Sequence, residues 1–160
     1  MIAASAVVAS AGLLGSLATT PAATAAEASS GWTTITDDAG QTFSYNDGVQ
    51  ANSINSGTFT FTADFNARLE SRHYTTPNFG THRVFLGPAA HCTRGETITV
   101  ELWAEAFPGD ANLGSRNLSC ASGGTAVFDN ISPDTFYFVL TAGSFGVTPN
   151  RTLSGDVTYP

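Results

Sequence analysis

Lysine is absent from this 160-residue sequence, and six arginines supply all of its fixed positive charge against thirteen acidic residues. A chain so short of cations, with a net charge of −7, cannot neutralise a phosphate backbone, which excludes a general nucleic-acid binder. The same shortage excludes a polybasic membrane-surface protein. Charge of either sign is scarce, at 12% of residues against about 25% in ordinary soluble proteins. That scarcity does not mean disorder, because eleven Phe, four Tyr and two Trp are enough to build one core. Helical periodicity is missing too, since no long window after residue 26 keeps apolar residues on a helix face. Catalytic signatures are lacking: there is no GxSxG elbow, HExxH pair or phosphate-binding loop. An enzyme is therefore not expected.

The first 26 residues carry no charge at all. Residues 2–18 are apolar and mostly small, and an Ala-rich run follows Pro21. This is the layout of a secretory signal peptide, with cleavage expected after Ala25, Ala26 or Ala28. Serines and glycines interrupt the stretch, which weakens it as a membrane span. Ile2 follows Met1 directly, so the basic opening of such a leader is expected from a start upstream. Residues 27–160 then form a single secreted, extracellular domain. Its two cysteines, Cys92 and Cys120, are an even pair and read as one disulfide in an oxidising compartment. Arginine as the only strong base points to a GC-rich bacterial genome.

From Gly57, residues Phe59, Phe61, Ala63 and Phe65 share one face and Thr58, Thr60, Thr62 and Asp64 the other, the period-two signature of a half-buried strand. Glu96 to Phe107 repeats the pattern, with Ile98, Val100, Leu102, Ala104 and Ala106 inward. Thr135 to Thr141 is apolar on both faces and reads as a central strand. Further strands are expected at 32–36, 41–45, 69–74, 82–86, 125–131 and 152–159. Turns are expected at Pro108-Gly109-Asp110, Ser122-Gly123-Gly124 and Ser132-Pro133-Asp134. Eight or nine short strands without helices predict an all-β antiparallel β-sandwich, Ig-like or jelly-roll-like.

Gly95 to Leu102, then Asp110-Ala111-Asn112-Leu113, then Ser132 to Leu140 and a closing Leu153 to Tyr159 fall in an order and spacing that resembles the pre-peptidase C-terminal domain of secreted bacterial proteins. The resemblance covers roughly residues 80–160. It implies a β-sandwich accessory module without catalysis, usually attached to a hydrolase. Asn112 stands where the family has a second Asp, and Gly114 where it usually has an aromatic residue.

Trp103 is the most informative single residue. Alternation turns it away from Ile98, Val100 and Leu102, together with Glu101 and Glu105. On such a face a Trp can stack on a sugar ring or anchor a protein partner while the carboxylates accept hydrogen bonds; alternatively a loop or the segment bearing Trp32 covers it. Glu101 and Glu105 are about 13 Å apart along an extended strand at about 3.3 Å per residue, beyond the roughly 5–9.5 Å of glycosidase carboxylates. His73, His82 and His91 recur every nine residues and would bind copper or zinc if consecutive strands brought them together. Asp110 with Asn112, or Asp37 with Asp38, offers calcium hard oxygen ligands, although these are also ordinary turn formers. No cofactor is required. The sequence thus predicts a binding or accessory module for a polysaccharide or protein surface, with a metal-binding protein or a structural envelope-associated protein as alternatives.

Overall fold

The computed structural model describes residues 31–47, 57–143 and 149–160; the expected leader and its expected cleavage sites lie outside them. Eleven strands follow in order: β1 (Thr33–Thr36), β2 (Thr42–Asn46), β3 (Gly57–Phe65), β4 (Arg68–Glu70), β5 (Tyr74–Thr76), β6 (Gly80–Leu86), β7 (Thr97–Ala104), β8 (Ala111–Ser119), β9 (Gly124–Ile131), β10 (Asp134–Ala142) and β11 (Arg151–Tyr159). Sheet A runs β1-β2-β3-β11-β6-β9, and sheet B runs β4-β10-β7-β8, with β5 also on β10. All pairings between strands are antiparallel. The chain changes sheet after β3, β5, β6, β8, β9 and β10, which is the winding of a jelly roll rather than an immunoglobulin domain. No helix of the described residues is long and apolar enough to cross a membrane.

The period-two reading survives where the pattern was strongest. Burial alternates strictly along β3 and β7, and Phe136, Phe138 and Leu140 of β10 face the core while Tyr137 and Val139 are buried on the opposite side. The core is aromatic: Phe43, Phe61 and Phe138 meet with ring centroids 5.1–5.8 Å apart, spacings at which aromatic pairs attract beyond simple burial. Phe61 needs Gly155 opposite it in β11, because a Cβ there would stand 2.6 Å from the Phe61 ring and 2.2 Å from the Phe85 carbonyl oxygen.

Two differences from the sequence reading account for eleven strands instead of nine. β8 has no apolar alternation and is exposed along nearly its whole length; it forms because it pairs with β7 at the sheet edge, so pairing rather than burial holds it. The strand expected over 69–74 is broken in two. Glu70 pairs with Val139 and Tyr74 with Phe136, so one extra residue sits on this edge, a β-bulge. Ser71 fills the gap: its hydroxyl accepts the Phe138 N–H and donates to the Arg72 carbonyl. Ser71→Ala is expected to cost about 1–3 kcal/mol, the cost of a buried N–H left without an acceptor, read as a lower urea midpoint.

Cys92 and Cys120 form the expected disulfide. It ties the loop before β7 to the turn between β8 and β9 and stabilises by roughly 3–4 kcal/mol on the loop-entropy account.

Candidate functional site

The bulge sends consecutive side chains in opposite directions. Arg72 turns toward the open edge between the sheets, where its guanidinium lies 4.3 Å from the Phe59 ring centroid and 2.6 Å from Asp47. His73 turns to the outer face of sheet B and stacks on Tyr137, with centroids 4.7 Å apart and planes within 12°. Tyr137 pairs directly with Trp103 across β10 and β7, and those rings are parallel to within 10° at 6.3 Å. The outer face therefore carries three parallel rings in a row. Tyr137 in the middle is only 5% exposed although it points away from the core.

Carboxylates surround the row. Glu101 accepts from Trp103 Nε1 at 3.3 Å, and Asp110 accepts from the Tyr137 hydroxyl at 2.8 Å. His73 Nδ1 meets Glu105, and its Nε2 lies 3.0 Å from Glu70. Both ring nitrogens thus face acceptors, an arrangement that only the imidazolium, with two N–H donors, satisfies fully. Partial burial lowers the proton affinity of this ring, but the hydrogen bonds and charges of Glu70 and Glu105 outweigh it, and the pKa rises above 6.5. Tyr137 is pushed up to about 12, first by desolvation and then by its bond to Asp110. A cleft of about 510 Å³ opens beside the row, lined by His73, Glu105, Ala106, Phe107 and Asp110; Phe107 is fully exposed. A second cleft of about 390 Å³ has Tyr45, Glu70, Arg72 and His73 in its wall.

Of the residues singled out from the sequence, Trp103, Glu101, Glu105, His73 and Asp110 come together here. Trp103 is half-buried against Tyr137, not beneath the segment bearing Trp32, which leads into β1 of the opposite sheet. Glu105 lies just beyond the end of β7, which frees it to reach His73 instead of lining up with Glu101. The three histidines do not converge. His82 is fully buried in the core, with Nδ1 3.1 Å from the Tyr74 hydroxyl, and His91 is exposed in the loop beside Cys92 with φ of 62°. Among the described residues no group of three or more His, Cys, Asp or Glu is placed to hold a metal. Asp110 is taken by Tyr137 and the Ala106 N–H, and Asn112 accepts from the Gly114 N–H. Asp37 accepts from the Ala39 and Gln41 N–H groups of the β1–β2 turn, which Gly40 closes at φ 76°.

Glu70 and Tyr137 were not legible as site residues. Tyr137 sits in an apolar run that reads as core, and nothing local marks Glu70. Among the described residues His73 is hydrogen-bonded to the carboxylates of Glu70 and Glu105, and the row offers hydrogen-bonding and stacking capacity.

No family model and no curated protein matches the chain. Among solved structures it is similar to the Yersinia pseudotuberculosis-derived mitogen, at 11% identity, TM-score 0.42, covering 66% of this chain and 86% of that one. It is similar also to the C-terminal CBM6 of LamC, a marine laminarinase from Zobellia galactanivorans, at 12% identity and TM-score 0.40 over 81% and 88%. A third is the K1 cleaved adhesin domain of Lys-gingipain from Porphyromonas gingivalis W83, at 10% identity and TM-score 0.41 over 79% and 88%. Likeness at this level says nothing about function.

Proposed function

We infer that this chain is a secreted, non-catalytic binding or accessory module that presents the outer face of sheet B to an extracellular polysaccharide or protein surface. The observation that carries the reading is the row of Trp103, Tyr137 and His73 on the solvent side of a sheet, edged by four carboxylates. Aromatic rings beside hydrogen-bond acceptors suit a partner with one apolar face and one polar edge. The disulfide supports an oxidising compartment. The pre-peptidase C-terminal resemblance supports an accessory role.

The test is retention of the oxidised protein on insoluble polysaccharides, cell walls and collagen, with calcium and with EDTA. Trp103→Ala is expected to weaken retention by tenfold or more, about 1.4 kcal/mol, while shifting the thermal midpoint only modestly. Unfolding of that variant would make Trp103 a structural residue, and loss of retention in EDTA would favour the metal-binding alternative.

A further inference from the structure

His73 occupies a place built for a flat cation. Its ring lies against the face of Tyr137, and its two nitrogens engage carboxylates from opposite sides, Glu70 on β4 and Glu105 beyond β7. The His73 side chain is 43% exposed and lines the outer cleft beside Glu105 and Asp110, outside the hydrophobic core. What remains when the ring withdraws is an aromatic face between two unpaired carboxylates. A neutral sugar there would leave both charges without a partner. A compact ammonium would satisfy charge but not stacking. A guanidinium is planar, stacks on aromatic rings, and offers N–H donors along more than one edge, so it reproduces each contact that the imidazolium makes.

We propose that the His73 place is a subsite for an arginine side chain of a protein partner, with His73 as the internal stand-in that the arginine displaces. The inference rests on the reading of sheet B as a binding face, and it selects a protein over a polysaccharide. Other charged groups near the ring are few. Asp110 reaches it only through the Tyr137 hydroxyl, Arg68 faces outward on β4 opposite Thr141, and Arg72 points away toward Asp47. Arg68, on the same exposed face of β4 as Glu70, acts on Tyr137 electrostatically, yet His73 and Arg68 still face four carboxylates, Glu70, Glu101, Glu105 and Asp110.

Competition with a proton-dependent stand-in has a defined pH signature. Displacement returns the ring from a raised pKa to the ordinary value near 6.5, so a proton leaves on binding only between those two values; apparent affinity should rise with pH through that window and be flat below 6.5 and above the raised midpoint. The experiment titrates the full protein with tetra-arginine, tetra-lysine and the glucosamine tetramer, following the His73 ring proton signals by NMR from pH 5.5 to 8.5. Tetra-arginine should bind best, abolish the ring-current shift that Tyr137 imposes on His73, and bind more tightly as pH rises above 6.5. His73→Gln should bind it with no pH slope over the same range, and Glu105→Gln should weaken it severalfold. Equal binding of tetra-lysine would reduce the effect to net charge and overturn the proposal. So would tighter binding of the glucosamine tetramer, or binding of arginine that leaves His73 stacked. If a matrix retains the protein while tetra-arginine does not bind, the subsite alone falls; if nothing binds, the binding reading falls with it.

Discussion

Arg151→Ala is expected to lower the unfolding free energy by about 3–5 kcal/mol, the usual cost of breaking a buried ion pair from one side. Arg151 opens β11 and is fully buried. Its Nη2 lies 2.6 Å from Glu96 Oε1, and both side chains are sealed from solvent. Glu96 is held by its surroundings as well, since its Oε2 accepts from the Thr93 N–H at 2.8 Å and the Thr93 hydroxyl at 3.0 Å. Burial alone would raise the Glu96 pKa, but the Thr93 hydrogen bonds and the Arg151 contact and charge together bring it below the usual carboxylate value. Alanine at 151 removes the guanidinium and strands a carboxylate that cannot move out to water. The control is Glu96→Leu with Arg151→Met, which removes both charges and should recover more than half of the loss. Urea unfolding of the wild type, the single variant and the double variant at pH 7 decides it. A loss under 1 kcal/mol for Arg151→Ala would mean that the pair is solvated.

Acid should destabilise the fold well before the carboxylates titrate. His82 is fully buried, edge-on to Phe136 at 4.6 Å, and desolvation lowers its pKa from 6.5 to about 4. A lowered folded pKa means that the unfolded chain binds a proton the native state refuses between those values. Stability from this group is therefore complete above pH 6.5, falls as pH drops through the window, and is down by roughly 3 kcal/mol near pH 4. Glu96 acts in the same sense lower on the scale, its contribution being present above the unfolded carboxylate value and lost as pH falls through its lowered folded pKa. His73 has the opposite sign: its raised pKa gives stability below 6.5 that is lost as pH rises through the folded value. Unfolding free energies at half-unit pH steps should show the decline from 6.5 to 4 in the wild type. His82→Gln, which keeps a polar partner for the Tyr74 hydroxyl, should flatten it. A wild-type curve level down to pH 4.5 would mean that His82 is charged or solvated in the native state.

The strands that alternate were legible because burial on one face leaves a period of two in the residues themselves, as in Phe59-Thr60-Phe61-Thr62. β8 carries no such trace, since an edge strand in which only Gly114 and Leu118 are partly covered is specified by its neighbour and not by its own composition. Glu96 and Arg151 show the same limit. Each reads as an ordinary surface charge in its own segment, and only the closing of the two sheets puts one beside the other. The site divides likewise. Strand parity put Trp103 and Glu101 on one outer face, whereas Glu105 reaches the row because β7 ends before it, Tyr137 by pairing with Trp103 from an apolar strand, and Glu70 through His73, which the extra residue at the bulge turns outward. The nine-residue histidine spacing was a coincidence of three environments: a bulge, a core and a loop.

The place of β11 bears on how the molecule comes to exist at all. Residues 151–159 lie between β3 and β6, so a growing chain that has not reached them holds sheet A as two separate halves, β1-β2-β3 and β6-β9. Each half ends on a bare edge facing the vacant slot, the kind of edge that recruits strands from other molecules. Insertion of the eleventh strand joins contacts far apart in sequence, which makes assembly slow and late. Sheet A is thus completed only by β11, and a growing polypeptide remains unfinished at the centre of that sheet until the eleventh strand arrives.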